Sequence, residues 1–475
     1  LSERTLHARN PRTGAIDYVF EAPGEGGVRA RARALRAAQS GWAARPLSAR
    51  IAVLHAFASA LERHAGAITA ALEVDTGRRR VAAMEIASVR GAIAGWCAQT
   101  PHLLAAPWRQ GLSAPGIRHR TEWTPYALVG VISPWNFPLL LSFIDATPAL
   151  LAGCAVIVKP SEVTPRWLLP FAAALREVPD LNAVLALTPG DGATGQDVLG
   201  EVDLVCFTGS LATGRKIAAG AAARMIPAYL ELGGKDPLII TRTANLDHAV
   251  AAALRGSVLA TGQACQSIER IYVAREVYAA FVDRLVAAAQ AARLNWPDIA
   301  HGDIGPLIFA RQADVIADHL ADAFAKGARA LTGGQIERHG GGLWVRPTVL
   351  VDVTHTMRVM SEETFGPILP VMAFDSEDEA VRLANDTEYG LSAAVIAGSL
   401  EEAETIARRI DAGAVSLNDA ALTALFHEAE KESFKLSGLG RSRMGAAGFE
   451  RFFRAKALIA QTAAPTPLAA FREDA

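Results

Sequence analysis

Apolar and polar positions divide the chain into two regimes. Over the first hundred residues the spacing predicts helices: one over 28–44, rich in Ala and Arg, one capped by Ser48 and running to about His64, and one over 80–99. A breaker-rich stretch follows, from Pro101 through Pro107, Gly111, Pro115 and Gly116, and marks a boundary or an excursion from the first domain. From Ala127 short apolar runs take over, at 127–132, 154–158, 183–187, 204–207 and 226–230, each separated from the next by a segment long enough for a helix. The alternation continues with strands at 238–240 and 271–273 and helices near 246–260 and 277–293. This is the pattern of an α/β fold with doubly wound parallel sheets. Ligands of such sheets lie beyond the carboxyl ends of the strands, so the residues just after the apolar runs are the most informative ones.

One stretch, 123–144, carries no charge and imitates a membrane span. Pro125, Pro134, Asn136 and Pro138 interrupt it, which predicts a strand, a turn and a helix instead. Near the end, 457–460 reads as an edge strand before Pro465 and Pro467. Of 475 residues, 51% are hydrophobic and 20% charged, a composition that excludes a largely disordered chain. Lys and Arg number 47 against 49 Asp and Glu, a net charge of −2, so there is no electrostatic footprint for nucleic acid or an anionic membrane. The chain opens Leu-Ser-Glu-Arg with no signal-peptide pattern. The four cysteines, Cys97, Cys154, Cys206 and Cys265, form no CxxC pair, so the expectation is free thiols, a cytoplasmic location and no metal site.

Several candidates for chemistry follow apolar runs. Gly190, Gly192 and Gly195 spell GxGxxG, but no acid stands about twenty positions on to hold a ribose, and the match alone is weak. Gly209-Ser210-Leu211-Ala212-Thr213-Gly214 suits either a pyrophosphate cradle or an ordinary capped turn. Lys159 and Glu162 beyond 154–158 suit a nucleotide ribose or a solvated loop pair. Glu231 stands where a general base would act, and where loop glutamates are also common. Cys265, in Gly262-Gln263-Ala264-Cys265-Gln266, is as compatible with a packed structural cysteine as with a nucleophile.

Six motifs in order settle the choice between these readings. Pro134-Trp135-Asn136-Phe137-Pro138, Lys159-Pro160-Ser161-Glu162, Phe207-Thr208-Gly209-Ser210, Glu231-Leu232-Gly233-Gly234-Lys235, Gly262-Gln263-Ala264-Cys265 with Arg270, and Glu362-Glu363-Thr364-Phe365-Gly366-Pro367 resemble the signatures of the aldehyde dehydrogenase superfamily over almost the whole chain. The resemblance implies a Rossmann-type cofactor domain (1–107 and 124–233), an αβ catalytic domain (234–435) and a small β oligomerisation arm (108–123 and 455–475), hence a homodimer or homotetramer. It implies that Cys265 attacks an aldehyde to form a thiohemiacetal and then a thioester, that Asn136 with the Cys265 N–H forms the oxyanion hole, and that Glu231 activates water. Lys159 and Glu162 resemble the positions that hold the adenosine ribose, Ser210 a pyrophosphate contact, and Glu363 and Phe365 the nicotinamide half. Ser133, Trp135, Ser161, Gly192, Gly195, Thr208, Gly209, Gly214 and Leu232 fall in the same cofactor site by resemblance.

The resemblance also bears on specificity. Glu162 would repel a 2′-phosphate, so NAD is expected over NADP. Phe137, Leu141, Ile144, Gln266 and Ala421 match the substrate tunnel, mainly apolar and without an evident cation, which points to an apolar aldehyde. Where many members have Pro-Phe-Gly-Gly ahead of the Ser-Gly-x-Gly turn, this chain has His427-Glu428-Ala429-Glu430-Lys431-Glu432-Ser433-Phe434-Lys435, whose charges read as a solvated face. Transfer of the thioester to coenzyme A, or a silent binding protein, are the competing readings; retention of Cys265, Asn136 and Glu231 speaks against silence.

Overall fold

The structure, a computed structural model, describes residues 3–104 and 106–473. Two parallel sheets organise it. In the first, strands run in the order Gly438–Leu439, Ala228–Glu231, Leu204–Thr208, Leu128–Ile132, Ala155–Lys159 and Leu185–Leu187. All are parallel except Gly438–Leu439, which lies antiparallel against Leu230 and Glu231. The parallel strands are the apolar runs expected from the sequence. Three of them are buried along their whole length, as strands covered by helices on both faces must be. Helices Glu25–Ala44, Leu140–Ala152, Gly192–Glu201 and Leu211–Ala223 supply that cover, and one apolar cluster runs through helices and sheet together.

The second sheet has the order Arg329–Ala330, Thr348–Val351, Ile368–Phe374, Ile268–Ala274, Asp236–Ile240, Ala393–Ile396 and Val415–Leu417, with only the first strand antiparallel. The chain crosses from one sheet to the other between Glu231 and Asp236, through Leu232-Gly233-Gly234-Lys235. A third, three-stranded sheet pairs Ile117–Pro125 with Arg109–Gln110 on one side and with Phe453–Gln461 on the other. The charge-free stretch is thus a strand end, the Leu128–Ile132 strand, a turn and the start of helix Leu140–Ala152.

The amino-terminal region departs from expectation. Before the first helix, Arg4–Arg9 and Ile16–Ala22 form an antiparallel hairpin, because cross-strand pairing outweighs what their polar, mixed composition suggests. The second helix, Leu47–Arg63, begins after Pro46 and has no side-chain cap, so Ser48 lies inside its first turn. A further helix, Ala65–Thr76, ends at Gly77 in the left-handed region (φ +65°). Helix Arg79–Leu103 runs past Gln99 and through Pro101, which sits in the last turn. Residues 1, 2 and 105, and residues 474 and 475 of the expected arm, lie outside the described residues.

Candidate active site

Strands Leu128–Ile132, Ala155–Lys159 and Leu204–Thr208 end on one side of the first sheet, and the turns after them open a cavity of about 460 Å³. Ser133, Trp135, Lys159, Ser161, Glu162, Gly192, Gly195, Thr208, Gly209, Ser210, Leu232, Glu363 and Phe365 all border it, together with Asn136 and Cys265. Gly214 does not. A Cβ there would lie 2.5 Å from Leu232 Cδ2, so that glycine serves the packing of helix Leu211–Ala223 on Leu232 rather than a ligand. A second cavity of about 170 Å³ is lined by Phe137, Leu141, Ile144, Gln266 and Ala421, with Glu231 in its wall. Asn136, Leu141 and Cys265 border both cavities, so the two meet at the thiol.

The cysteine is carried on a strained segment. After helix Leu246–Val258, Ala260, Thr261 and Gly262 have φ of 56°, 64° and 66°; for the two non-glycine residues this costs about 1–3 kcal/mol each. Buried polar groups hold them there. Thr261 Oγ1 donates to Gly305 O (3.1 Å) and accepts from Gly305 N (3.0 Å), while Gln263 Oε1 accepts from Ile308 N (2.9 Å). The Arg78 guanidinium donates to Ala260 O (3.1 Å) and also to Asn136 O, tying the cysteine segment to the Asn136 turn. The Asn136 side chain closes the link, with Nδ2 donating to Gln263 O (3.0 Å) and its second N–H without a partner among the described residues. Burial lowers Arg78 to about 10 against the opposing pull of Glu85, and burial raises Glu85 to about 7 while it accepts from Leu139 N and Leu140 N (both 3.0 Å).

A buried ion pair shapes the opposite wall. Glu269 accepts from Lys235 Nζ (2.6 Å), Thr364 N (2.8 Å) and Phe365 N (2.8 Å), and Lys235 also donates to Thr364 Oγ1 (3.0 Å). That fixes Phe365 at φ +52°, its ring edge-on to Trp135 at 5.4 Å. Glu363 accepts from Gly234 N (3.2 Å); a Cβ on Gly233 would lie 2.4 Å from its carboxylate, so a larger residue there would have to push that side chain aside. Burial, reinforced by Glu269, pushes Glu363 up to about 8. Sequence reasoning assigned no task to Arg78, Glu85 or Glu269. Glu85 and Glu269 stand beside apolar residues, which paired core charges also do, and Arg78 is one of three consecutive arginines with nothing in the sequence to single it out.

The larger cavity fits a dinucleotide on its own geometry. A Cβ on Gly192 would meet nothing within 4 Å and one on Gly195 only Ile132 Cδ1 at 3.9 Å, so protein packing demands neither glycine and the space beside them is left for a ligand. Two helix N-termini, those of Gly192–Glu201 and Leu211–Ala223, stand at the same wall. Ser210 caps the second, its Oγ accepting from Thr213 N at 3.4 Å, so the turn is a capped αβ turn as well as a cavity wall. Lys159 Nζ lies 3.3 Å from Glu162 Oε2; the lysine is buried and the glutamate half-buried.

Three thiols are buried and Cys265 alone keeps partial exposure. Burial pushes Cys97 up to about 11 and Cys206 to about 12, and raises Cys154 further still. Packing around the Cys265 sulfur raises it to about 12, with Lys431 opposing and Glu363, Glu231 and Asp236 adding to the rise. Exposure and neighbours, not acidity, therefore distinguish Cys265. For Glu231, burial works against the charge, but Lys431, Arg443 and a hydrogen bond from Ser433 outweigh it and hold the carboxyl below its usual range.

The charged run is the principal correction to the sequence reading. Residues 427–430, Glu432, Phe434 and Lys435 are exposed, but Lys431 is buried and faces the smaller cavity, with Nζ 3.2 Å from Glu231 Oε2. The tunnel wall expected to lack a cation holds Lys431, Arg443 and Arg255. Spacing could not reveal this, because the run reaches the site only when Gly438–Leu439 adds to the Glu231 strand two hundred residues earlier.

A cavity at the carboxyl ends of a parallel sheet, opening onto a thiol that also faces a second, largely apolar cavity, is the arrangement of the aldehyde dehydrogenase-like α/β fold. The model described as the aldehyde dehydrogenase family matches residues 2–458, and the chain belongs to that family. A Mycolicibacterium smegmatis protein provisionally named succinate-semialdehyde dehydrogenase [NADP(+)] is 40% identical over 420 residues, covering 88% of this chain and 81% of that one. The solved structure of a protein provisionally named aldehyde dehydrogenase PutA, from Anabaena variabilis, is 51% identical over 98% of this chain and 99% of that one, with a TM-score of 0.95. A Staphylococcus aureus betaine aldehyde dehydrogenase solved in complex with NAD+ is 29% identical over 98% of this chain and 92% of that one, with a TM-score of 0.91.

Proposed function

We propose that this aldehyde dehydrogenase oxidises an aldehyde to the carboxylic acid through a covalent intermediate on Cys265, with NAD as oxidant. The carrying observation is the meeting of the two cavities at Cys265 and Asn136. An aldehyde in the smaller cavity presents its carbonyl carbon to the sulfur and its oxygen to the second N–H of Asn136 and to the Cys265 N–H, where the developing alkoxide is stabilised as the thiol proton passes to it to give the thiohemiacetal. Lys159 and Glu162 would hold the adenosine ribose, the two helix N-termini with Ser210 the phosphates, and Glu363 and Phe365 the nicotinamide half. Bound there, NAD would supply the hydride acceptor for oxidation of the thiohemiacetal to the thioester. Glu231 then takes a proton from the water that cleaves the resulting thioester; a glutamate facing the acyl position supports hydrolysis over transfer to coenzyme A. Aldehyde-dependent NADH formation, without coenzyme A, tests this reading.

Preference for NAD rests on Glu162, whose half-buried carboxylate would face the 2′-phosphate of NADP, although the M. smegmatis relative is named for NADP. Glu162→Ser is expected to raise kcat/KM with NADP by at least ~10-fold, about 1.4 kcal/mol. A wild-type enzyme faster with NADP at saturating aldehyde would overturn the preference.

The substrate is proposed to be an apolar aldehyde. Each strong cation in the tunnel wall is already committed: Lys431 to Glu231 at 3.2 Å, Arg443 to Asp145 at 2.9 Å, and Arg255 to Asp419. Desolvation at the cavity wall and the neighbouring Arg443 hold the solvent-accessible His427 below its usual range, which disfavours its charged form. A carboxylate tail would find no unpaired cation among the described residues of this wall. Apolar aliphatic or aromatic aldehydes are expected to exceed succinic semialdehyde, named for the relative, by ~10-fold or more in kcat/KM, about 1.4 kcal/mol; the reverse order in an NADH screen overturns the class. The three-stranded sheet leaves Phe453–Gln461 at an edge with Ile459 exposed, which supports its proposed role as the arm of a homodimer or homotetramer.

A further inference from the structure

The run 430–433 is seated on the protein rather than loose in solvent. A Cβ on Gly413 would overlap Glu432 O, one on Gly438 would lie 2.6 Å from Ser433 Cβ, and one on Gly445 would lie 3.0 Å from Glu430 Cβ. Downstream, Ser437 O accepts from Leu232 N (2.8 Å), which stitches the segment to the residue after Glu231. At that point two side chains converge on one carboxylate oxygen. Ser433 Oγ donates to Glu231 Oε2 at 2.8 Å, and Lys431 Nζ donates to the same oxygen at 3.2 Å and to Ser433 Oγ at 3.2 Å. Among the described residues no hydrogen bond reaches Glu231 Oε1, and Glu231 borders the smaller cavity beside Cys265.

We infer that Lys431 and Ser433 are positioning residues that clamp Glu231 by Oε2, leaving Oε1 to take the proton of the water that hydrolyses the thioester. This rests on the assignment of Glu231 as the deacylation base. A carboxylate free to rotate between its two oxygens would present Oε1 only part of the time; the clamp removes that freedom before water arrives. The clamp has an electrostatic consequence. The charged and titratable groups around Glu231 are Lys431 and Ser433 from the run, Arg443 with its partner Asp145, Cys265, and Asp236, with His427, Glu85 and Arg255 elsewhere on the cavity wall. Lys431 is the foremost of the groups that offset burial of the carboxylate, with Arg443 second. Without Lys431, burial prevails, and the carboxylate takes up a proton at higher pH.

The test is the pH dependence of deacylation in Lys431→Met, Lys431→Arg and Ser433→Ala, read beside the NADH burst of the first turnover. In Lys431→Met the acid limb of steady-state kcat is expected to move up by ~1 pH unit or more, with burst amplitude per site retained. Lys431→Arg is expected to return the limb most of the way, and Ser433→Ala to move it less but in the same direction, so that a poorly folding Lys431→Met still leaves two readouts. An unmoved limb in variants that melt cooperatively overturns the clamp, as does equal loss of burst and steady state. Failure of the underlying reading looks different: Glu231→Gln itself would turn over normally. If Glu231→Gln stalls while the Lys431 and Ser433 variants keep the wild-type profile, Glu231 remains the base and only the clamp is lost.

Discussion

Cys265→Ala is expected to reduce aldehyde-dependent NADH formation by ~10⁴-fold or more, about 5.4 kcal/mol of barrier, while the protein still folds and still binds its dinucleotide. Nothing else that borders both cavities can form a covalent intermediate, since Asn136 and Leu141 are not nucleophiles. The change removes one sulfur from a half-buried position, and the strained backbone before it is held by Arg78, Thr261 and Gln263, none of which uses the thiol. Cys97→Ala, Cys154→Ala and Cys206→Ala provide the contrast. Those thiols are core groups, so their loss should lower stability without removing activity. Alkylation offers a second measurement. Because burial raises the Cys265 thiol to about 12, the thiolate fraction in the free enzyme is small at neutral pH, and the rate of iodoacetamide labelling at Cys265 should keep climbing with pH beyond 9. Substantial turnover by Cys265→Ala, or an equally inactive Cys97→Ala, removes the assignment.

Glu231→Gln should give a burst of about one NADH per site and then slow by roughly 10³-fold, with the acyl group detectable as added mass on Cys265. Acylation does not need the carboxylate, whereas hydrolysis needs a group to take the proton of the attacking water. The substitution also leaves the Lys431 ammonium buried without its partner; the two side chains are only 4% and 12% exposed, so the loss of stability should be about 3–5 kcal/mol. Adding Lys431→Met to Glu231→Gln removes the orphaned charge and should recover most of that loss without restoring turnover. Denaturant melts and rapid-mixing kinetics on the two variants separate the structural from the chemical effect. Normal turnover by Glu231→Gln, or an obligate need for coenzyme A in the unmodified enzyme, excludes hydrolysis assisted by this residue.

Local pattern carried much of the architecture. The five apolar runs between residues 127 and 230 are parallel strands; in the three central ones, buried throughout, the need for uninterrupted apolar side chains is visible without any partner. The ordered motifs were legible for the same reason: Gly233, Gly234 and Gly262 stand where any Cβ would strike Glu363, Cys265 O or Gly366, so the site writes its steric limits into the chain as glycine. The amino-terminal hairpin was not legible, since a strand of alternating exposure such as Arg4–Arg9 is defined by its neighbour, Ile16–Ala22.

Charge was where local reading ended. Glu428, Glu430, Lys431 and Glu432 look alike in sequence, yet only Lys431 is buried. What separates it is the antiparallel addition of Gly438–Leu439 to the strand ending at Glu231, which brings one lysine of the charged run into the cavity wall. Gly214 shows the converse, a motif glycine that faces Leu232 instead of the cleft. Residue type and spacing alone determined which stretches form strands and where the turns fall, because those depend on backbone sterics and nearby burial. Which ionisable groups meet depends on contacts between residues hundreds of positions apart, and only the tertiary structure decided that Glu231 would find a lysine.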